Sequence, residues 1–181
     1  MGWLHSRPTF RCCFRSQPVI VEIYDMNQNL KHRKAILSDL ACIIELILED
    51  DELAQSRESH NTYDQAYVDA FHHINNDPNH YLMVVEDDVG IVATCHLTVI
   101  PSLSFIGSTR LQIEEVRVRK KYRSRGIGEW MIKSAIDYGA QHGAKIVQLT
   151  ANRKRVRAKK FYKKLGFEAS HEGMKLYLED M

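Results

Sequence analysis

Apolar residues along the chain recur with two periods, and the switches between them mark the elements. Residues 31–37 read as a short strand, and Ser38 stands where a side chain can cap the helix that follows. That helix carries its apolar stripe on Leu40, Ile44, Ile47 and Leu48 and runs into the acidic cluster Glu49, Asp50, Asp51 and Glu52. Thr62 and Gln65 form a capping-box pattern ahead of a second stripe, Tyr67, Ala70, Phe71 and Ile74, which stops near Pro78. Period two then takes over. Residues 81–85 read as a strand and 86–88 as a turn, and in 89–100 Ile91, Ala93, Cys95, Leu97 and Val99 alternate with Thr94, His96 and Thr98. A loop over 101–108 precedes a strand over 110–118. A glycine-containing turn at 123–128 opens a helix with Ile127, Met131, Ala135 and Tyr138 on one face, ending at Gly143. A strand over 145–150, a helix over 156–165 striped by Ala158, Phe161, Tyr162 and Leu165, and short strands at 168–169 and 174–178 complete the chain. A hairpin in the middle and alternating elements afterwards predict a mixed α/β (α+β) three-layer domain, without repeat or linker, over residues 26–181.

Residues 1–25 read differently, as a poorly ordered extension. Arg7, Arg11 and Arg15 precede the first acidic residue, Glu22, and no apolar run of secretory length is present. Two functional readings compete with that one: an Arg-rich, acid-poor transit peptide, or a lipidation signal, since Met1-Gly2 followed by Ser6 fits the myristoylation pattern and Cys12-Cys13 suit acylation. The remaining composition is ordinary. A hydrophobic share of 44% with 27% charged residues excludes disordered and fibrous classes. No stretch approaches the roughly 18–20 apolar residues of a membrane span. The four cysteines lack paired spacing, which suits a reducing, cytoplasmic setting with Cys42 and Cys95 buried.

Charge sharpens the picture. A net charge of +2 hides 4 Lys/Arg against 13 Asp/Glu in residues 26–109, and 17 against 4 in residues 110–164. Such a division suits a site that meets an anion on one side and a cation on the other. The anion side is Val116-Arg117-Val118-Arg119-Lys120-Lys121-Tyr122-Arg123-Ser124-Arg125-Gly126-Ile127-Gly128, a strand entering a basic turn that starts a helix. Helix N-terminal amides point outward without partners, and the helix dipole adds partial positive charge. Gly126 and Gly128 keep side chains out of the way, while Arg123 and Arg125 add donors. That is a pyrophosphate cradle. A Walker-type loop is excluded because Glu129 and Trp130 follow Gly128, and a dinucleotide fingerprint because its third glycine is Met131.

Arg123-x-x-Gly126-x-Gly128 resembles the acetyl-CoA signature of the GNAT superfamily of N-acetyltransferases. The preceding Ile113 to Val118 looks like that superfamily's fourth strand, and Ala158-x-x-Phe161-Tyr162-x-x-Leu165-Gly166-Phe167 is similar to its second signature. The resemblance is clear over residues 110–167 and implies an acyl-CoA N-acyltransferase fold, with a central, mainly antiparallel mixed sheet flanked by helices. It further implies that the pantetheine arm pairs with the backbone of Val116, Arg117 and Val118, and that the pyrophosphate sits on Arg123, Ser124, Arg125, Gly126, Ile127 and Gly128. Tyr162 matches the tyrosine that protonates the departing thiolate. The Asn or Ser expected three residues before Ala158 is Arg155 here; Asn152 either takes over part of its cofactor role or caps the helix. Glu114 and Glu115 lie on the strand that faces the thioester. Alternation allows one of them into the cleft; the resemblance favours Glu114 as the base, with Glu115 second. The competing reading makes both ordinary carboxylates paired to Arg110 or Arg117.

The implied activity is direct acetyl transfer from acetyl-CoA to an amine in a ternary complex, without metal. The acidic first half points to a small cationic amine as acceptor. Alternatives are a protein N-acetyltransferase acting on lysine or an N-terminal amine, or a non-catalytic RNA- or ribosome-binding module using the basic segment 153–164. Nucleic acid is disfavoured as a partner because Phe161 and Tyr162 fall in the inward stripe rather than on an exposed stacking platform. A homodimer is compatible with this reading. His72, His73 and His80 have no spacing that completes a metal site and read as solvated, His96 as a surface residue and Cys95 as core. A chain starting at Met26 is expected to stay soluble and active, checked by circular dichroism and acetyl transfer; aggregation or inactivity of that chain would overturn the boundary.

Overall fold

A computed structural model describes residues 29–49 and 64–178. In chain order they form strand β1 (Lys31–Lys34), helix α1 (Leu40–Leu48), helix α2 (Gln65–Asn76), β2 (His80–Asp87), β3 (Gly90–Ile100), β4 (Thr109–Val118), α3 (Ile127–Gln141), β5 (Ala144–Leu149) and α4 (Val156–Lys164). The strands build one sheet in the order β1-β2-β3-β4-β5. The first four run antiparallel, and β5 joins β4 in parallel. A parallel partner needs a crossover, which α3 supplies.

Alternation in β2, β3 and β4 gives the sheet two covered faces. On one, Met83, Cys95, Leu97, Leu111 and Ile113 meet Ile127, Met131, Ile132 and Ala135 of α3. On the other, Leu82 and Val84 meet Ile43 of α1 and Phe71 of α2. The result is the expected α+β three-layer domain.

Several local expectations change. The turn into α1 is organised by Asp39 instead of Ser38. Asp39 accepts the Ile36 N–H at 2.9 Å and receives the Arg33 guanidinium at 2.6 and 3.1 Å. Burial alone would raise this carboxyl, but the Arg33 fork and the Ile36 amide outweigh it, so its pKa lies below the usual value. Helix α2 is capped by Asp64, whose side chain accepts the Ala66 N–H, and Thr62 lies outside the described residues. The strands expected at 168–169 and 174–178 do not form. Arg153 pairs with Glu172 at 3.2 Å and Gly173 lies beside Thr150, so this segment runs next to the β5–α4 loop instead of pairing with a strand. Alternating Met174, Leu176 and Leu178 are therefore exposed.

Helix α3 approaches β4 closely at Gly139. A Cβ there would stand 2.9 Å from Leu111 Cδ2 and 3.2 Å from its Cβ, beneath a fully buried leucine. Gly139→Val is expected to cost about 1–3 kcal/mol through overpacking. A urea midpoint lowered at unchanged slope is the expected result; an unchanged midpoint would show that α3 can lift off.

Candidate active site

Pairing between β4 and β5 runs from Thr109 opposite Ala144 to Ile113 opposite Leu149 and then stops. Strand β4 continues through residues 114–118 while the chain leaves β5 for the loop over 150–155, so the sheet splits there. A second irregularity lies at the same level. Thr94 faces Arg117 and His96 faces Glu114, so Cys95 alone opposes the two residues Glu115 and Val116. This is a β-bulge, and Glu115 adopts φ +47° to make it. Simple alternation across Glu114 and Glu115 is broken, and both side chains are exposed.

The two carboxylates differ in their commitments. Glu115 accepts from Arg117 Nη2 at 2.8 Å, and Arg117 also donates to the Val116 carbonyl. Glu114 makes no hydrogen bond or ion pair among the described residues. Glu114 is thus left uncommitted just past the point where pairing with β5 ends.

Beyond the split, β4 enters the glycine turn. Tyr122 is buried and anchors the turn to the α3 face of the core. Arg125 stacks over the Tyr122 ring, 5.6 Å from its centroid. Arg123 folds back, donating from Nε to the Val118 carbonyl at 2.8 Å and lying 4.0 Å from Glu49. The expectation that both arginines add side-chain donors is therefore met differently, with Arg123 engaged in bracing the turn. Gly126 precedes α3 with φ +84°, a left-handed conformation costly for any residue with a Cβ. The Trp130 amide bonds the Gly126 carbonyl, so the Ile127 and Gly128 amides lie ahead of that first helical bond. Gly128 packs against α4: a Cβ there would lie 3.5 Å from the Phe161 ring and 3.7 Å from Val118, ordinary contact.

Helix α4 closes the other side of the split. Phe161, Tyr162, Leu165 and Phe167 pack onto the α3-face core, and Tyr162 meets Phe167 edge to face. Burial raises the Tyr162 pKa, opposed by nearby Arg117 and Arg155, so the phenol stays protonated at neutral pH. The inward placement of Phe161 and Tyr162 leaves neither as a stacking platform. Asn152 caps no helix. Its side chain accepts the Lys154 N–H at 2.9 Å within the loop, and α4 begins after Arg155 without a side-chain cap.

A polar cluster escaped the sequence reading. His80 Nδ1 and His96 Nε2 lie 2.8 Å apart, joining residues read as a solvated and a surface histidine. Burial, reinforced by His80, pushes the His96 pKa down to about 4. Periodicity did place His96 on the polar face of β3, but only the register of β2 against β3 brings His80 to it. Of the acidic cluster after α1, Glu49 is described; it accepts the Lys120 amide at 2.7 Å and so braces the strap into the glycine turn. A cavity of about 520 Å³ opens beside it, lined by Cys42, Glu49, Ile91, Arg119 and Lys121 among others, and includes neither Glu114 nor Tyr162.

The unpaired stretch of β4, the glycine turn at its end and the Tyr162-bearing helix α4 together frame one groove. Residues 44–167 match the acetyltransferase (GNAT) family, and the chain belongs to that family. It is 42% identical over 57 residues to an uncharacterized N-acetyltransferase of Methanocaldococcus jannaschii, a segment spanning 32% of this chain and 25% of that protein. The crystal structure of a transcriptional regulator from Bacillus halodurans C-125 superposes with a TM-score of 0.78 at 35% identity, covering 82% of this chain and 99% of the other. Glucosamine-6-phosphate N-acetyltransferase from Arabidopsis thaliana shares the fold, with a TM-score of 0.68 at 23% identity over 83% of this chain and 99% of its own. Among the described residues, no helix is long and apolar enough to cross a membrane.

The two glycines of the turn are expected to respond differently. Gly126→Ala forces a Cβ into a left-handed position and is expected to weaken acetyl-CoA binding at least tenfold, whereas Gly128→Ala meets only ordinary contacts and is expected to bind as the parent does. Calorimetry on both folded variants checks this; equal affinities would overturn the assignment of the turn.

Proposed function

We propose that this protein transfers the acetyl group of acetyl-CoA to the primary amine of a small cationic molecule, by direct attack within a ternary complex. The observation that carries this reading is the split between β4 and β5. It leaves the backbone of residues 114–118 without a strand partner on one side, between the glycine turn and Tyr162. Exposed strand edges recruit extended partners, and a pantetheine arm carries amides that suit Val116, Arg117 and Val118. The amides of residues 123–128 suit its pyrophosphate.

Glu114 and Tyr162 divide the proton chemistry. An alkylammonium acceptor has a pKa of about 10 and must lose a proton before attack. The Glu114 carboxylate, open at the mouth of the split, takes that proton directly or through water. The nitrogen lone pair then forms the bond to the thioester carbon. As the carbon–sulfur bond breaks, its electron pair goes to sulfur and the protonated Tyr162 phenol supplies a proton to the thiolate. The second proton shed by the attacking nitrogen passes through water to the Tyr162 oxygen and restores the phenol. Glu115, held by Arg117, stabilises the bulge instead. The excess of carboxylates in residues 26–109 supports a cationic acceptor through long-range attraction.

Incubating a panel of amines with acetyl-CoA while monitoring free thiol tests the reading, with amine-dependent thiol release expected. On an accepted amine, Glu114→Gln is expected to lower kcat/KM by about 10²-fold or more, recovering partly at high pH where the amine is already neutral. Tyr162→Phe is expected to lower kcat at unchanged acetyl-CoA affinity. Variants that match the parent between pH 6 and 9 would overturn both roles.

A further inference from the structure

His96 stands directly across the β3–β4 pair from Glu114, so the two side chains share one face of the sheet at the level of the split. Behind it, His80 comes within hydrogen-bond reach at 2.8 Å, one imidazole donating its N–H to the other. Thr98 Oγ1 lies 3.3 Å from the same His80 nitrogen. The Asp77 carboxylate lies 3.8 Å from the opposite nitrogen, His80 Nε2, and is more exposed than the ring it faces. The row thus leads outward from a half-buried histidine at the cleft to an exposed carboxylate. Around it the faces of α1 and α2 are apolar, with Ile43 and Phe71 packed on Leu82 and Val84. Among the described residues, the titratable groups next to His96 are therefore His80 on β2 and Glu114 on β4, with Asp77 behind.

We propose that His96 and His80 form a proton exit for the acetyl transfer reaction, accepting through water the proton that Glu114 takes from the amine and passing it to solvent at Asp77. This rests on the proposed acetyltransferase reading. Each hop breaks one N–H or O–H bond and forms another, and no co-reactant is consumed. The proton leaves the ammonium, reaches the Glu114 carboxylate, crosses by water to a neutral His96 nitrogen, and a proton leaves the pair on the His80 side. Burial of His96 beside His80 keeps the His96 ring unprotonated well below neutral pH, so it offers a nitrogen that can accept a proton. Both histidines are positioning residues in this scheme, acting through Glu114.

Two measurements on the full chain test it. Nitrogen-15 titration of the histidine rings needs no turnover: His96 is expected to stay neutral through pH 5, and His80→Gln is expected to move its titration upward. A His96 signal that titrates near pH 6.5 and ignores His80→Gln would overturn the pair. In the kinetic arm, His96→Gln and His80→Gln are each expected to lower kcat roughly tenfold on an accepted amine, with acetyl-CoA affinity unchanged. High concentrations of free imidazole are expected to restore much of the loss. Unchanged kcat, or a loss that imidazole does not relieve, would overturn the relay. Absence of amine-dependent thiol release by the parent protein overturns the catalytic reading and the relay together, leaving the pair to stand or fall on the titration alone.

Discussion

The backbone of residues 114–118 is the constraint around which the rest is arranged. Peptide groups in the middle of a sheet must find hydrogen-bond partners, and burying them without any carries a penalty of a few kcal/mol. Here β5 withdraws after Leu149, so β4 has partners on the β3 side alone. The protein keeps this half-paired strand at the surface of a groove, where water or a ligand can complete it. Everything nearby holds the groove open. The bulge at Glu115 lets β3 and β4 stay paired through a local change of direction, and Tyr122 pins the strap that follows. Phe161 lies against Gly128 and joins the core on the α3 face, which fixes α4 at the far wall.

Electrostatics follow the same division. Residues 110–164 are rich in Lys and Arg, suited to phosphate, whereas residues 26–109 carry an excess of carboxylates. Between them the working side chains are kept neutral or unencumbered. Tyr162 is held protonated by burial, His96 is held unprotonated by burial and by His80, and Glu115 rather than Glu114 is tied up by Arg117. Tyr162 is thus protonated and His96 unprotonated at one pH, a combination that suits the proposed transfer, which removes one proton and delivers another.

How much of this was legible in the chain depends on the range of the interaction. The hairpin, the glycine turn and the stripe of α4 are local patterns, and the structure places them within a few residues of where periodicity puts them. The bulge is different: nothing in Glu114-Glu115 marks which residue will adopt a positive φ, and only the register against Cys95 decides it. Likewise Ser38 and Thr62 look like caps as readily as Asp39 and Asp64, and Asp39 organises the turn into α1 because Arg33, six residues earlier on β1, holds its carboxylate. The last two strands fail for the complementary reason. Alternation at Met174, Leu176 and Leu178 is present, but a strand exists only where an edge receives it. His80 and His96 are separated by a hairpin, and their meeting belongs to β-pairing rather than to either segment.

The inward fold of Arg123 changes how the glycine turn would sense an anion. With its guanidinium spent on the Val118 carbonyl and near Glu49, much of the attraction at the turn comes from fixed peptide dipoles at short range. Dipoles aimed at one point lose strength steeply with distance and read direction, whereas free cations act over a Debye length of about 8 Å at physiological ionic strength and read only charge. A turn built this way would favour an anion seated in line with α3 over one that approaches from the side. Attraction of that kind is less sensitive to dissolved salt than attraction by free cations.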